Sequence, residues 1–138
     1  MTRMIIHEKR RQFGRRGVAA VEFAVCLPVI VLLVFGAIEA SSFIFLKQSL
    51  NVAAYEGIRE SIRVDADNAN GMDRASNILN SRNVQDFFVS FPSGESGDAT
   101  RGDEIVIEVT APTSTNSPLA GQFVSNRTLT ARVVMVKE

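Results

Sequence analysis

The 138-residue sequence contains one cysteine, one histidine and no tryptophan, and these scarcities exclude whole classes of function. Cys26 has no second cysteine to form a disulfide within the chain, so we interpret it as a small hydrophobic side chain. His7 lies in the N-terminal leader, so the chain beyond it cannot form a Ser-His-Asp site. The sequence also lacks a Cys/His metal cluster, a phosphate-binding glycine loop and an H-E-x-x-H motif. We therefore expect no enzyme activity, no catalytic or metal site and no cofactor.

Charge is absent between Phe23 and Ile38 and is unevenly distributed elsewhere. The whole chain is neutral, but residues 1–17 hold six basic side chains against Glu8, which leaves a net charge of −5 for the remainder. With Val18–Val21, the apolar stretch covers about twenty-one positions, enough to cross the ~30 Å hydrocarbon core of a bilayer. The positive-inside rule then keeps the N-terminus cytoplasmic and the C-terminal part outside. The adjoining apolar span argues against a nucleic-acid partner for the basic residues.

The basic leader and apolar stretch permit several interpretations. A secretory signal needs an apolar region of about 7–15 residues before a cleavage site of small residues, and residues 39–42 match such a site only loosely. Arg10-Arg11-Gln12-Phe13 resembles a fragment of a twin-arginine signal. Glu22, inside the apolar region, argues against both. An uncleaved single-pass anchor that presents a small envelope-side interaction domain remains the main alternative to the interpretation that follows.

Gly17 followed by Val18-Ala19-Ala20-Val21-Glu22 resembles the processing site of type IV prepilins. The segment resembles more closely the TadE-like family, pseudopilins of the Tad/Flp pilus system. The matching features are Arg-Arg-Gly, Val-Glu-Phe-Ala, Leu-Pro and Phe-Gly, in this order between Arg15 and Gly36, followed by Glu39. The resemblance implies that a prepilin peptidase cuts between Gly17 and Val18 and leaves the apolar helix on the mature protein. It also implies other pilin subunits, an inner-membrane assembly platform and membrane lipid as partners.

Glu22 is the residue that we expect to act in assembly and helix register. A carboxylate at the bilayer centre costs ~2.5–3.5 kcal/mol on insertion scales, so a charge in this segment suggests a function. Glu22 lies only ~6 Å along the axis from Val18 and could reach the interface, where the positive end of the helix favours it. The resemblance to pilins implies a second role, in which Glu22 pairs with the α-amino group that cleavage exposes on Val18 of a neighbouring subunit. Both interpretations remain open.

We predict one continuous helix from about Val18 to Val64, with a transmembrane half to residue 46 and an amphipathic half over residues 47–64. In the outer half, apolar side chains recur at four-residue spacing and need a partner surface: Leu46, Leu50, Ala54, Ile58 and Ile62. Pro28 lacks an N–H donor and predicts a helix kink. Gly36 and Ala40 are predicted helix-packing positions because small residues allow close approach. Glu39 lies near the far interface and need not be buried.

Residues 65–138 are predicted to form a small α+β head. Asp65–Gly71 is read as a polar break and Met72–Ser81 as a short helix whose Ala75, Ile78 and Leu79 face inward. The strands are expected at Val84–Phe91, Glu104–Ala111 and Arg127–Lys137, with a helical turn at Pro118–Val124. The last two strands alternate, which predicts one face with Ile105, Ile107 and Val109 and another with Leu129, Ala131, Val133 and Met135. The predicted fold is therefore α+β and pilin-like: a long N-terminal helix joined to a small antiparallel sheet.

These observations predict a pseudopilin or minor pilin in a bacterial inner membrane, with its N-terminus cytoplasmic and its head outside. It would take part in the assembly of a Tad/Flp-type pilus or a related secretion filament, with roles in cell adhesion or secretion. The alternatives are the permanent anchor and, with the least support, a soluble domain that a signal peptidase releases.

Overall fold

The computed structural model describes residues 14–118 and 127–137. These residues form helix α1 (Gly14–Ser61), helix α2 (Asn68–Ser81) and strands β1 (Phe88–Ser90), β2 (Glu104–Pro112) and β3 (Thr128–Val136). The chain divides into an N-terminal unit, Met1–Gly36, and a C-terminal unit, Ala37–Glu138. The predicted α+β fold with a long N-terminal helix and a small antiparallel sheet is confirmed.

Helix α1 is 48 residues long and continues through Pro28, but both of its ends differ from the prediction. Its described part starts at Gly14, so Gly14–Gly17 are already helical, ahead of the predicted start at Val18. This segment holds two arginines, which are good helix formers, but also two glycines, which are poor ones, so intrinsic propensity does not account for the extension. The helix ends at Ser61 instead of Val64, because the Arg63 N–H bonds to the Glu60 carbonyl three residues back instead of four.

The apolar face of α1 that the four-residue spacing predicted is buried in the C-terminal unit. Leu46, Leu50, Ala54 and Ile58 expose at most 2% of their surface, and Ile62 exposes 8%. These side chains join a single core with inward residues of α2 and the sheet. The predicted need for a partner surface is therefore met within the chain, by its own head.

Helix α2 begins at Asn68, four residues before the predicted Met72, so part of the predicted polar break is helical. The cause is a capping box of two hydrogen bonds. The Asn70 N–H donates to the Asp67 carboxylate, and the Asp67 N–H donates to the Asn70 side-chain amide oxygen. These reciprocal bonds satisfy helix-end donors that would otherwise be free. Ala75 and Leu79 are fully buried and Ile78 packs at the core margin, as predicted.

The two helices meet through small residues. Gly71 of α2 lies against the backbone of Gly57 in α1, with no room for a side chain at Gly71 and only tight contacts for a Cβ at Gly57. Beside this contact the Arg74 guanidinium lies 3.7 Å from the Glu56 carboxylate, which links α2 to α1 at the surface. Close approach at the two glycines therefore fixes where α2 sits on the core.

The sheet has three antiparallel strands in the order β1-β2-β3. Along β2 the side chains alternate as predicted, with Ile105, Ile107 and Val109 buried and the residues between them only partly covered. Strand β3 pairs with β2 along its whole length, from Thr128 opposite Pro112 to Val136 opposite Glu104. Its Leu129, Ala131, Val133 and Met135 contribute to the core, which confirms the predicted inward face.

Strand β1 is much shorter than the predicted Val84–Phe91 and covers only Phe88–Ser90. The N–H of Val84 bonds back to the carbonyl of Leu79, so Val84 completes the end of α2. Asn83 and Asp86 take positive φ values of 55° and 53°, which is incompatible with extended strand geometry. The predicted helical turn at Pro118–Val124 lies outside the described residues except for Pro118.

Candidate functional site

The predicted processing residues lie in the regular helical part of the N-terminal unit. Gly17, Val18 and Glu22 are all members of α1, Val18 and Glu22 are exposed, and a Cβ at Gly17 would meet no atom within 4 Å. Val18 and Glu22 are four residues apart, which in a helix is ~6 Å along the axis and nearly the same face. The structure therefore places the expected cleavage position and the expected register residue close together.

The start of α1 changes the electrostatic argument for Glu22. Because the helix begins at Gly14, Glu22 lies more than two turns from its N-terminal end. The favourable effect of the helix dipole is confined to about the first turn, so it does not reach Glu22 in the uncut chain. If the chain is cut after Gly17, Val18 becomes the helix start and Glu22 lies about one turn from it.

The other predicted site residues lie further along the same helix. Pro28 is within α1, and every residue from Val18 to Ile38 is exposed. A Cβ at Gly36 would meet no atom within 4 Å, and Ala40 is exposed as well. Neither small residue is used for packing within the described chain, so their roles in helix packing, like the kink at Pro28, remain predictions.

Sequence reasoning missed the position of Glu39. It exposes 2% of its surface, and both carboxylate oxygens are buried without a hydrogen-bond partner among the described residues. Glu39 lies seven residues before the buried Leu46 and thus extends the buried face of α1 by two turns. The seven-residue spacing to Leu46 indicated that Glu39 could be buried. Its charge and its position at the end of the apolar stretch indicated exposure instead.

We expect substitution of Glu39 by methionine to raise the melting temperature of the C-terminal unit. The change keeps an unbranched side chain with similar helix propensity and removes two buried acceptors whose desolvation costs about 1–3 kcal/mol. Thermal unfolding of the detergent-solubilised full chain measures the effect, and Glu60→Met is the control because Glu60 is more exposed and pairs with Arg63 at 3.0 Å. A lower melting temperature for Glu39→Met would show that the carboxylate has a partner in the folded chain.

Asp103, just before β2, has a structural role. The Asp103 carboxylate accepts hydrogen bonds from the Thr100 N–H and the Thr100 hydroxyl, both at 2.8 Å. The bond from the backbone N–H, followed by that from the hydroxyl, holds the pKa of Asp103 below its ordinary value. Asp103 thereby closes the turn that leads into β2. Within residues 14–118 and 127–137, no group of three or more His, Cys, Asp or Glu side chains could hold a metal ion.

The described chain is an α+β protein with one helix that is long and apolar enough to cross a membrane, and the most apolar part of that helix is not buried. Residues 17–59, which all lie in α1, match the family model described as TadE-like protein. The resemblance noted from the sequence is thus confirmed for this segment. No curated protein and no solved structure matches the chain. The apolar helix and the family match together fit a membrane location.

Proposed function

We propose that the protein is a membrane-anchored pseudopilin or minor pilin of the TadE-like type that takes part in assembling a Tad/Flp-type pilus or related secretion filament. The observation that carries the proposal is the position of Glu22, five residues after Gly17 within an exposed apolar helix whose segment 17–59 matches the family model. A carboxylate there is costly in lipid, so its presence suggests a partner at the same depth.

Cleavage after Gly17 by a prepilin peptidase would create that partner. It would remove the net charge of +5 carried by residues 1–17 and expose the α-amino group of Val18 at a new helix start. The new amine and the helix N-terminus both favour a carboxylate at the depth of Glu22. In this scheme the Glu22 carboxylate of one subunit accepts a hydrogen bond from the Val18 amine of its neighbour, which offsets the cost of burial and sets the axial register.

The proposed topology places the N-terminus in the cytoplasm, the apolar part of α1 in the inner membrane and the head outside. Other pilin subunits and the assembly platform would then meet the chain through α1 and the head. Cell adhesion and secretion would be activities of the assembled filament.

The uncleaved anchor is a second candidate that one observation favours. Because α1 begins at Gly14, the peptide bond between Gly17 and Val18 lies within a helix, whereas proteolysis usually occurs in exposed segments without regular structure. In this alternative the chain keeps its basic leader, and the head binds a partner in the envelope without entering a filament.

The two candidates are distinguished by the intact mass of the membrane-extracted protein, with and without a co-expressed prepilin peptidase. We expect the mass of residues 1–17 to be lost only when the active peptidase is present. Gly17→Leu is the matched control, because a bulky residue before the cut should keep the leader attached without entering the folded head. A full-length mass with active peptidase would favour the permanent anchor, and a soluble head cut beyond Glu39 would contradict both.

A further inference from the structure

A hollow of about 310 Å³ lies in the C-terminal unit, between α1, the end of α2 and the segment that follows β2. This volume is at the lower end of the ~300–1,000 Å³ that is typical of ligand sites. We call it the Arg82 hollow, and its walls include two apolar side chains of α1 and four polar side chains from the other two segments: Phe45, Leu46, Arg82, Thr115, Asn116 and Ser117. A cation and exposed apolar surface therefore line the same concave site.

Arg82 brings a half-buried positive charge into the hollow without a counter-ion. Among residues 14–118 and 127–137, no carboxylate forms an ion pair with its guanidinium, whereas Arg63 and Arg74 each have a glutamate partner. Within the same ranges its side chain makes one hydrogen bond, a long one of 3.4 Å to the Ser49 hydroxyl. A guanidinium has five N–H donors, so most of them lack a protein acceptor. Since charges withdrawn from water are normally paired, this arrangement indicates an anionic ligand.

The Ser117 hydroxyl is a second unsatisfied group of the same hollow. Its oxygen is buried and has no hydrogen-bond partner in the part of the chain that the structure describes. The neighbouring Asn116 holds this wall in place, because its side-chain amide accepts from the Gln85 N–H at 2.8 Å and donates to the Gln85 and Pro112 carbonyls at 2.9 Å. A ligand with several acceptor oxygens would satisfy the Arg82 donors and, after rotation about the Cα–Cβ bond, the Ser117 hydroxyl as well.

The hollow lies close to the point where α1 leaves the membrane in the proposed topology. About twenty residues from Val18 cross the hydrocarbon core, so the core ends near Ile38. Phe45 is seven residues further, or ~10 Å along the helix axis, and lipid headgroups occupy the first ~5–8 Å outside the core. A long side chain such as that of Arg82 spans the remaining distance. Phe45 is 51% exposed and Lys47 follows it, and an aromatic residue beside a cation is typical of a membrane interface.

We propose that the Arg82 hollow binds the phosphate of an anionic phospholipid from the leaflet on the side of the head. The Arg82 guanidinium donates to two phosphate oxygens through its planar fork, the Ser117 hydroxyl donates to a third, and Phe45 contacts the acyl chains. A zwitterionic headgroup binds less well, because its own cation competes with Arg82 for the phosphate. The inference rests on the membrane insertion of α1, which the pseudopilin and the uncleaved anchor share, and does not depend on cleavage.

The lipids that the full chain retains, identified by native mass spectrometry, test the proposal. The chain is reconstituted in liposomes with equal amounts of phosphatidylglycerol and phosphatidylcholine and is then extracted in mild detergent. We expect one phosphatidylglycerol per chain, retained roughly tenfold more often than phosphatidylcholine, because a hydrogen bond to a charged group contributes about that factor. Arg82→Gln should abolish this enrichment. Arg132→Gln is the matched control, because Arg132 is exposed on β3 outside the hollow, and it should retain the enrichment.

Thr115→Glu tests the same site without removing a half-buried side chain. Thr115 is exposed at the hollow, so a glutamate there can pair with Arg82 and repel a phosphate. We expect Thr115→Glu to abolish the enrichment and Asn77→Glu, at an exposed position of α2, to leave it unchanged. Thermal unfolding of each variant verifies that the head is folded.

Three outcomes would overturn the proposal. Equal retention of the two lipids by the parent chain would leave the hollow to a carboxylate of a partner protein. Enrichment that persists in both Arg82→Gln and Thr115→Glu would place the lipid elsewhere on the chain. Release of the lipid by excess inorganic phosphate, which has no acyl chain to contact Phe45, would indicate a site for free phosphate. The liposomes contain no peptidase or pilus component, so each of these outcomes is independent of the intact-mass experiment, which decides the proposed function.

Discussion

Substitution of Gly71 by valine is expected to destabilise the head strongly and to lower its melting temperature. A Cβ at Gly71 would lie 2.7 Å from the Gly57 carbonyl oxygen, 2.8 Å from the Phe91 ring and 3.0 Å from the Ser61 Cβ. The first of these contacts is with backbone, so the valine can be accommodated only if α2 moves away from α1. Overpacking of this kind costs about 3 kcal/mol, a large part of the ~5–15 kcal/mol that stabilises a domain.

Gly71→Ala and Gly36→Ala separate the steric effect from the intrinsic cost of glycine. Alanine gains roughly 1 kcal/mol of helix propensity over glycine, so Gly71→Ala should be intermediate between the parent and Gly71→Val. A Cβ at Gly36 would meet no atom within 4 Å, so Gly36→Ala should not lower stability. Thermal unfolding followed by circular dichroism, together with hydrogen exchange of the α2 amides, measures the order. An unchanged melting temperature for Gly71→Val would contradict the close packing of the two helices.

The sequence predicts those parts of the fold in which apolar residues recur at the period of a helix or a strand and are buried on one face. The four-residue spacing from Leu46 to Ile62 predicted the buried face of α1, and strict alternation predicted β2 and β3. Each pattern involves several residues, so the conformational preference of a single residue does not change the prediction.

The missed features depend on single local interactions or on tertiary context. Asp67 and Asn70 favour turns, which predicts a polar break, but in the folded chain they form the capping box that starts α2 earlier. The turn at Asp86 shortened β1 despite its apolar sequence. Burial of Glu39 depends on what packs over it, which spacing along one helix does not reveal.

The candidate site was predictable for a different reason. Glu22 contradicts the apolar pattern around it, so it signals a function without any knowledge of the tertiary structure. The extent of α1 was needed to see that a helix start near Glu22 exists only if residues 1–17 are removed. The proposed pairing of Glu22 with the Val18 amine thus depends on the chain being cut.

Glu22→Ala is accordingly expected to abolish incorporation into the filament while leaving cleavage after Gly17 intact. The alanine removes the carboxylate and leaves the Val18 amine of the neighbouring subunit buried without its counter-charge. Loss of one member of a buried pair costs about 3 kcal/mol or more, which lowers the association constant roughly a hundredfold. The fraction of the chain that co-sediments with sheared filaments measures incorporation, and intact mass verifies cleavage in the same sample.

Two further variants show whether charge or mere polarity is required. Glu22→Asp keeps the charge on a shorter side chain and should restore part of the incorporation, whereas Glu22→Gln keeps the size without the charge and should behave as Glu22→Ala. Because an apolar residue is more favourable in lipid than a carboxylate, Glu22→Ala should remain at least as firmly in the membrane as the parent. Normal incorporation of cleaved Glu22→Ala would refute the pairing and leave Glu22 as a side chain that reaches the membrane interface. Loss of incorporation in Glu22→Ala and Glu22→Gln, with partial recovery in Glu22→Asp, requires a cation at that depth, and a cut after Gly17 supplies one in the Val18 amine.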